Sequence, residues 1–180
     1  MTHDFNERLS MSERASDEPF WDSIYRSAFP DLINHMTTTG NTQSQRLGID
    51  RILHLSSGRT LYIDEKKRES VYSDILLEYL SVDTTGAPGW IEKPLHIDYL
   101  AYAFMPTRRA YLFPWHVLQR AWRVNKQRWM SAYKPVVAQN NGYRTHSLPI
   151  PIAVLQNAVK DAFLVQLPPA KTDWLEQPHF

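Results

Sequence analysis

Cysteine is absent from all 180 residues, and this absence excludes two classes of structure. Neither disulfide bonds nor zinc sites built on thiolates can form, and a chain without cysteine fits a reducing compartment. The chain also lacks an excess of charge of either sign, since 20 lysines and arginines balance 19 aspartates and glutamates and the formal net charge is +1. So small a charge creates no long-range field toward nucleic acid or membrane, and any such affinity must come from local patches.

Long apolar segments are missing as well. The N-terminus, MTHDFNERLSMSERASDEPF, is polar and has no signal-peptide core, and no apolar run approaches the length of a membrane span. We therefore expect a soluble, cytoplasmic protein with no membrane partner. There is no glycine-rich phosphate loop and no serine in a nucleophile-elbow context. The seven histidines lack paired ligand spacing, and we interpret the one suggestive pair, His96 and Asp98, as structural.

Apolar residues make up 43% of the chain, which is enough for a substantial core. Periodicity predicts a helix from about Asp17 and a hairpin of two strands joined by the turn Ser56-Ser57-Gly58, whereas HMTTTGNTQSQ is typical of a loop. Further strands are predicted over 74–81, 97–105, 109–113 and 145–150, and further helices from Trp115 and over 152–164. This order predicts a mixed α/β or α+β domain over residues 17–165, between a flexible segment, 1–16, and a tail, 166–180.

The stretch GRTLYIDEKKRES is unusual because an apolar strand runs directly into charge. Residues two apart share a face of a strand, so Asp64 points with Lys66 and Glu65 points with Lys67. Asp50 lies on the preceding strand of the hairpin, and strand pairing can bring it near Asp64. Two adjacent carboxylates repel unless a cation lies between them, and Mg²⁺ prefers such oxygen ligands. A solvated strand edge that resists aggregation is the alternative interpretation of the charges.

Glu78 is a third acidic residue of interest, because it lies within the apolar run LLEYL. An ionised carboxylate in such a strand is costly unless it is paired or bound to metal. If its strand lies next to the Asp64 strand, Glu78 can face Lys66 or the metal. A purely structural pairing of Glu78 with a basic residue is an equal alternative.

Basic residues accompany aromatic residues in the segment that begins at Trp115. The candidates for nucleic-acid contact are Arg120, Arg123 and Lys126 in this segment and Arg144 in NNGYRTH. Basic side chains interleaved with aromatic rings can bind a phosphate backbone. A solvated helix face and an ordinary hairpin are the alternatives.

Asp50 in GIDRIL, with Asp64 and Lys66 in YIDEK, resembles the motif of the PD-(D/E)xK nuclease superfamily. DILLEYLS, the loop ending PGWI and DYLAYAF resemble the layout of small members borne by phages or mobile elements, over roughly residues 17–125. Ile49 stands where the motif has proline.

The register of the motif is open, because the two acids and two lysines also allow the pair Glu65/Lys67. We favour Asp64/Lys66, since Asp64 directly follows the apolar run, as the motif acid usually does.

The resemblance implies a restriction-endonuclease-like mixed sheet flanked by helices, and a metal-dependent nuclease acting on DNA. Asp50, Asp64 and Glu78 would hold Mg²⁺ or Mn²⁺, with the backbone carbonyl of Glu65 as a further ligand, and the metal would lower the pKa of a bound water. Lys66 would orient that water or stabilise developing negative charge. Such enzymes often dimerise to cut both strands, and the sequence leaves a homodimer open. The alternative functions are a non-catalytic nucleic-acid- or protein-binding module on this fold and a structural phage or mobile-element protein.

Overall fold

The computed structural model describes residues 17–38 and 41–163. The predicted flexible segment 1–16 and the predicted tail 166–180 lie outside the described residues. In chain order the helices and strands are α1 (residues 17–28), β1 (Leu32–Thr37), α2 (Thr42–Arg46), β2 (Arg51–Leu55), β3 (Thr60–Arg68), β4 (Asp74–Val82), β5 (Ala87–Pro88), β6 (Tyr99–Phe104), β7 (Arg109–Pro114), α3 (Trp115–Ala132), β8 (Val136–Gln139), β9 (Arg144–Pro151) and α4 (Ile152–Phe163). Short 3₁₀ turns span Trp90–Glu92 and Met105–Thr107.

The strands of the described residues form two sheets. The first has the order β1-β2-β3-β6-β7, and within it β3 and β6 are parallel whereas the other neighbours are antiparallel. The second sheet has the order β5-β4-β9-β8 and is antiparallel. The predicted α+β class with a mixed sheet is therefore confirmed. No helix in the described ranges combines the length and apolar character that crossing a membrane requires.

Helix α1 covers one face of the first sheet, which we call the back face. Phe20, Trp21 and Tyr25 of the helix pack with Leu53 of β2 and Ile63 of β3. The apolar spacing of α1 and the period-two alternation of the two strands direct these residues toward one another. The alternate positions of β2 and β3 consequently point to the opposite side of the sheet, the front face.

The front face lies toward the second sheet and α3. Leu100 and Tyr102 of β6 join Ile75 and Leu77 of β4 and Trp122 of α3 in one core cluster. Both sides of the first sheet are thus covered, and its central strands β3 and β6 are rigidly held between two packed layers.

The stretch HMTTTGNTQSQ was expected to be a loop, and this expectation is wrong at both ends. Its first residues complete β1, which pairs with β2, and its last residues form the short helix α2. Strand β8 is a further element that the alternation of apolar residues does not predict, since its four side chains are exposed.

Candidate active site

Asp50 and Asp64 meet on the front face because of the register of the β2–β3 hairpin. Arg51 lies opposite Ile63, and the N–H of Asp50 donates to the carbonyl of Ile63 at 2.8 Å. Asp50 Oδ2 also accepts a hydrogen bond of 2.9 Å from the N–H of Glu65, which holds its carboxylate against β3. Asp50 lies close enough to Asp64 to help raise the pKa of the Asp64 carboxyl group, so the hairpin creates a pair of carboxyl groups.

Asp64 is only 3% exposed, and this burial determines its ionisation. Burial raises the pKa of Asp64 to about 7, although the nearby Lys66 ammonium opposes the rise. The neighbouring Asp50 carboxyl group contributes to this raised pKa through its charge. When two carboxyl groups lie close together and one is buried, an added cation stabilises their charged form.

Lys66 completes the front-face group, because it lies two residues beyond Asp64 on the same strand. Its Nζ forms an ion pair with Asp64 Oδ1. The Lys66 side chain is 32% exposed, so its ammonium can be reached from solvent even though its partner is buried. The structure therefore brings together Asp50, Asp64 and Lys66.

The alternative register, Glu65 with Lys67, points to the back face. Glu65 Oε1 accepts hydrogen bonds from Arg51 Nε at 2.5 Å and from the Tyr25 hydroxyl at 2.8 Å. Lys67 Nζ lies 2.9 Å from Asp17 Oδ2 on α1. The carboxylate of Glu65 is thus occupied by back-face partners, and only its backbone can contribute beside Asp50.

Arg51 is the centre of a buried polar network that sequence reasoning did not find. Its side chain is 2% exposed, and its two terminal nitrogens donate to the Glu18 carboxylate at 2.7 and 3.0 Å. His35 Nδ1 lies 2.8 Å from the same guanidinium. The bonds from Arg51 lower the pKa of Glu18. The sequence did contain a signal for this network. Arg51 occupies an inward position of the alternating strand, and a buried guanidinium requires carboxylate partners.

Glu78 does not join this group. The condition for Glu78 to face Lys66 or the metal was that its strand lies next to the Asp64 strand, and this condition is not met, because β4 belongs to the second sheet and pairs with β5 and β9. Glu78 lies opposite Ser147 of β9, and β6 takes the place beside β3 through parallel pairing. Within the described ranges, no group of three or more histidine, aspartate or glutamate side chains is arranged to hold a metal ion.

The four basic candidates differ in their surroundings. Lys126 Nζ is paired with Glu92 at 2.6 Å, and Arg144 Nε is paired with Asp83 at 2.7 Å. These partners neutralise much of the charge that phosphate binding would use. Arg120 and Arg123 are exposed on α3.

The chemistry of the Asp50–Asp64 pair fits Mg²⁺ or Mn²⁺. Mg²⁺ binds carboxylate oxygens but keeps several waters, so one or two protein carboxylates suffice to hold it. The pKa of Asp64 is raised mainly by burial and in part by the charge of Asp50, and a divalent ion would offset the charge of both carboxylates. Asp50 and Asp64 are therefore the residues that could hold the metal.

Comparison with known proteins gives no match, whether to a protein-family model, a curated protein or a solved structure. The resemblance to the PD-(D/E)xK nucleases thus remains an expectation that depends on the motif residues. The evidence for function is the geometry of Asp50, Asp64 and Lys66.

Proposed function

We propose that this protein is a metal-dependent nuclease that hydrolyses phosphodiester bonds of DNA. The observation that supports the proposal is the convergence of Asp50, Asp64 and Lys66 on the front face of one sheet. These residues occupy the positions of the PD-(D/E)xK motif, with one acid before a strand and an acid-x-Lys triplet on the next. The restriction-endonuclease-like assignment of the first sheet belongs to the same proposal.

In this proposal each residue has a defined role. Asp50 and Asp64 would hold the divalent ion, which when bound would polarise the phosphate and lower the pKa of a water. Lys66, positioned by its ion pair with Asp64, donates to the phosphate and stabilises the negative charge that develops there. The backbone carbonyl of Glu65 is a further expected ligand, since its side chain is held on the back face by Arg51.

The rigidity of the strand supports these roles. Ile63 is fully buried beside Asp64, and β3 is bonded to a neighbour on each side. Electrostatic catalysis requires groups that are already oriented before the reaction, and a central strand provides that orientation. The proposal takes DNA as the partner and the cytoplasm as the location, and a homodimer would be the arrangement for cutting both strands.

A non-catalytic binding module is the second candidate, and one observation favours it. Asp64 is almost completely buried and is already paired with Lys66. In a module without catalysis, this ion pair would serve only to compensate two charges near the core.

Incubation of the protein with circular and linear DNA tests the proposal. We expect cleavage with Mg²⁺ or Mn²⁺, none with EDTA, and none by Asp64→Ala. Asp31→Ala, which removes an exposed carboxylate from the turn after α1, is the matched control and should cleave normally. DNA binding by wild type without cleavage under any metal condition would favour the binding module. Cleavage that persists in EDTA or in Asp64→Ala would contradict this site.

A further inference from the structure

A cavity of about 520 Å³, open to solvent, lies between β3 and α3. Tyr62 lines this cavity and precedes Asp64 by two residues, so both side chains project from the same face of β3. Two residues along a strand span roughly 6–7 Å. The part of the cavity that Tyr62 lines is therefore separated from Asp64 by this distance along β3, on the side away from Lys66.

The segment that precedes β6 forms one wall of the cavity, and it is fixed to β3. Asp98 Oδ2 accepts a hydrogen bond from the N–H of Tyr62 at 2.8 Å, and the N–H of Asp98 donates to the Tyr62 carbonyl at 2.8 Å. Leu95 packs against Gly48, which has a φ of 78° and where an added Cβ would collide with the leucine side chain. This wall is thus preformed and connected to the chain that leads into Asp50.

Helix α3 forms the other wall with residues of one face. His116, Gln119 and Arg123 are spaced for neighbouring positions on a helix, and all three line the cavity. Gln119 Nε2 is held by the carbonyls of Ile91 and Lys93 at 3.2 and 2.9 Å.

Arg123 is held less firmly than Gln119. Within the described part of the chain, its guanidinium makes one hydrogen bond, which is long, at 3.3 Å to Gln119 Oε1. Glu92, whose pKa is lowered in part by Arg123, is instead hydrogen-bonded to Lys126. Arg123 is therefore placed to bind an anion at the rim of the cavity.

We propose that this cavity binds one unpaired nucleotide that flanks the scissile phosphate, an inference that rests on the proposed nuclease function. Tyr62 is 38% exposed, and its ring offers a stacking face for a base. The second carboxylate oxygen of Asp98 and the ring nitrogens of His96 and His116 offer hydrogen bonds to the edge of the base or to the sugar. The guanidinium of Arg123 matches the neighbouring phosphate.

The size and shape of the cavity favour an unpaired nucleotide over a duplex. Its volume is that of a small-ligand pocket, and its lining groups can surround a single base. A base that enters it turns its pairing edge toward protein groups, which requires that the base be unpaired or flipped out of the helix. The site consequently predicts a preference for DNA with single-stranded residues beside the cleavage point.

The test compares a duplex that carries a single-stranded overhang with a blunt duplex of the same sequence. Binding is measured in EDTA, and cleavage is measured with Mg²⁺, for wild type, Tyr62→Leu, Arg123→Gln and Arg109→Gln. Arg109 is the matched control, since it is exposed and pairs with Phe104 at the opposite end of β6 from Asp98. We expect wild type to prefer the overhang substrate. Tyr62→Leu and Arg123→Gln should each weaken binding of the overhang substrate by roughly 5- to 100-fold. Each should also raise KM for this substrate with little change in kcat.

The outcomes separate this proposal from the nuclease proposal. Cleavage by wild type with unchanged KM in Tyr62→Leu and Arg123→Gln would overturn the nucleotide site and leave the nuclease intact. Binding of the overhang that depends on these residues, without cleavage, would support the nucleotide site and contradict the nuclease. An equal loss of overhang binding in Arg109→Gln, or equal affinity of wild type for blunt and overhang DNA, would also overturn the nucleotide site. Melting temperatures close to that of wild type would show that the variants fold.

Discussion

Arg51 and Glu65 form an ion pair on the back face, with 2.5 Å between Nε and Oε1, directly behind the two front-face aspartates. Arg51 follows Asp50 in the chain, and Glu65 follows Asp64. The ion pair therefore crosses from β2 to β3 beside the carboxyl pair and holds the hairpin in register from behind. A slip of one residue between the two strands would turn Asp50 and Asp64 to opposite faces of the sheet, so this register is a condition for the site.

Arg51→Met tests the back-face network. Removal of the guanidinium leaves the Glu18 and Glu65 carboxylates without their cation, and we expect the free energy of unfolding to fall by about 3–5 kcal/mol. The double variant Arg51→Met with Glu65→Gln should be less destabilised than the single variant, because one uncompensated charge is gone. Urea denaturation measures both values. Arg59→Met, in the exposed β2–β3 turn, is the control, and an equally large loss there would contradict the explanation.

Asp64→Asn tests the ionisation of the buried carboxyl group. The pKa of Asp64 is raised to about 7, so the folded state binds this proton more tightly than the unfolded state. Ionisation therefore destabilises the fold progressively as the pH rises from about 4, the ordinary pKa of aspartate, to about 7. Because Asn cannot ionise, the free energy of unfolding of Asp64→Asn relative to wild type should increase between pH 4.5 and pH 8 in EDTA. Chemical denaturation at the two pH values measures this change, and no increase would show that Asp64 titrates normally.

The parts of the fold that could be predicted from the sequence are those with a local signal. The β2–β3 hairpin has alternating apolar residues on both sides of a serine-glycine turn, and α3 has apolar residues at helical spacing. Strands β1 and β8 lack such a signal because they lie at sheet edges. Of the β1 residues only Leu32 is buried, and Ile33 and Met36 point to solvent, so its sequence does not show which face packs.

The same distinction applies to the site. The position of Asp64 with Lys66 follows from strand parity, and that of Asp50 follows from the pairing of two strands adjacent in sequence. The predicted position of Glu78 in the site depended on which strand lies beside β3. This place is taken by β6, which begins at Tyr99 and contacts β3 through parallel pairing. The inward position of Arg51 indicates that it needs a carboxylate partner, but the sequence does not show that the partner is Glu18, which lies on an element distant in the chain.

Divalent metal should stabilise the protein through the two aspartates. The proposed site would bind Mg²⁺ in the folded state alone, since the unfolded chain does not bring Asp50 and Asp64 together, so the melting temperature should rise with Mg²⁺ concentration. The rise should be larger at pH 8 than at pH 6, because a proton on Asp64, whose pKa is raised to about 7, competes with the metal. Thermal melts of wild type, Asp50→Asn and Asp64→Asn measure it, and both variants should lose the shift. Glu78→Gln should retain the shift, since Glu78 lies in the second sheet, and its loss there would return Glu78 to the metal site.

Lys66 and Lys67 should differ sharply in their importance for cleavage, because they point to opposite faces of β3. Lys66→Ala removes the cation that faces the phosphate in the proposed site, and a loss of about 10²–10³ in kcat is expected for one electrostatic donor. The same change removes the charge that lowers the pKa of Asp64, so the residual activity should rise at a higher pH than in wild type. Among the described residues Lys67 is paired with Asp17 and Glu69 alone, so Lys67→Ala should cleave at nearly the wild-type rate. Cleavage rates of both variants on one DNA substrate, measured from pH 6 to 9, decide the matter. Loss of activity in Lys67→Ala with full activity in Lys66→Ala would place the site on the back face with Glu65.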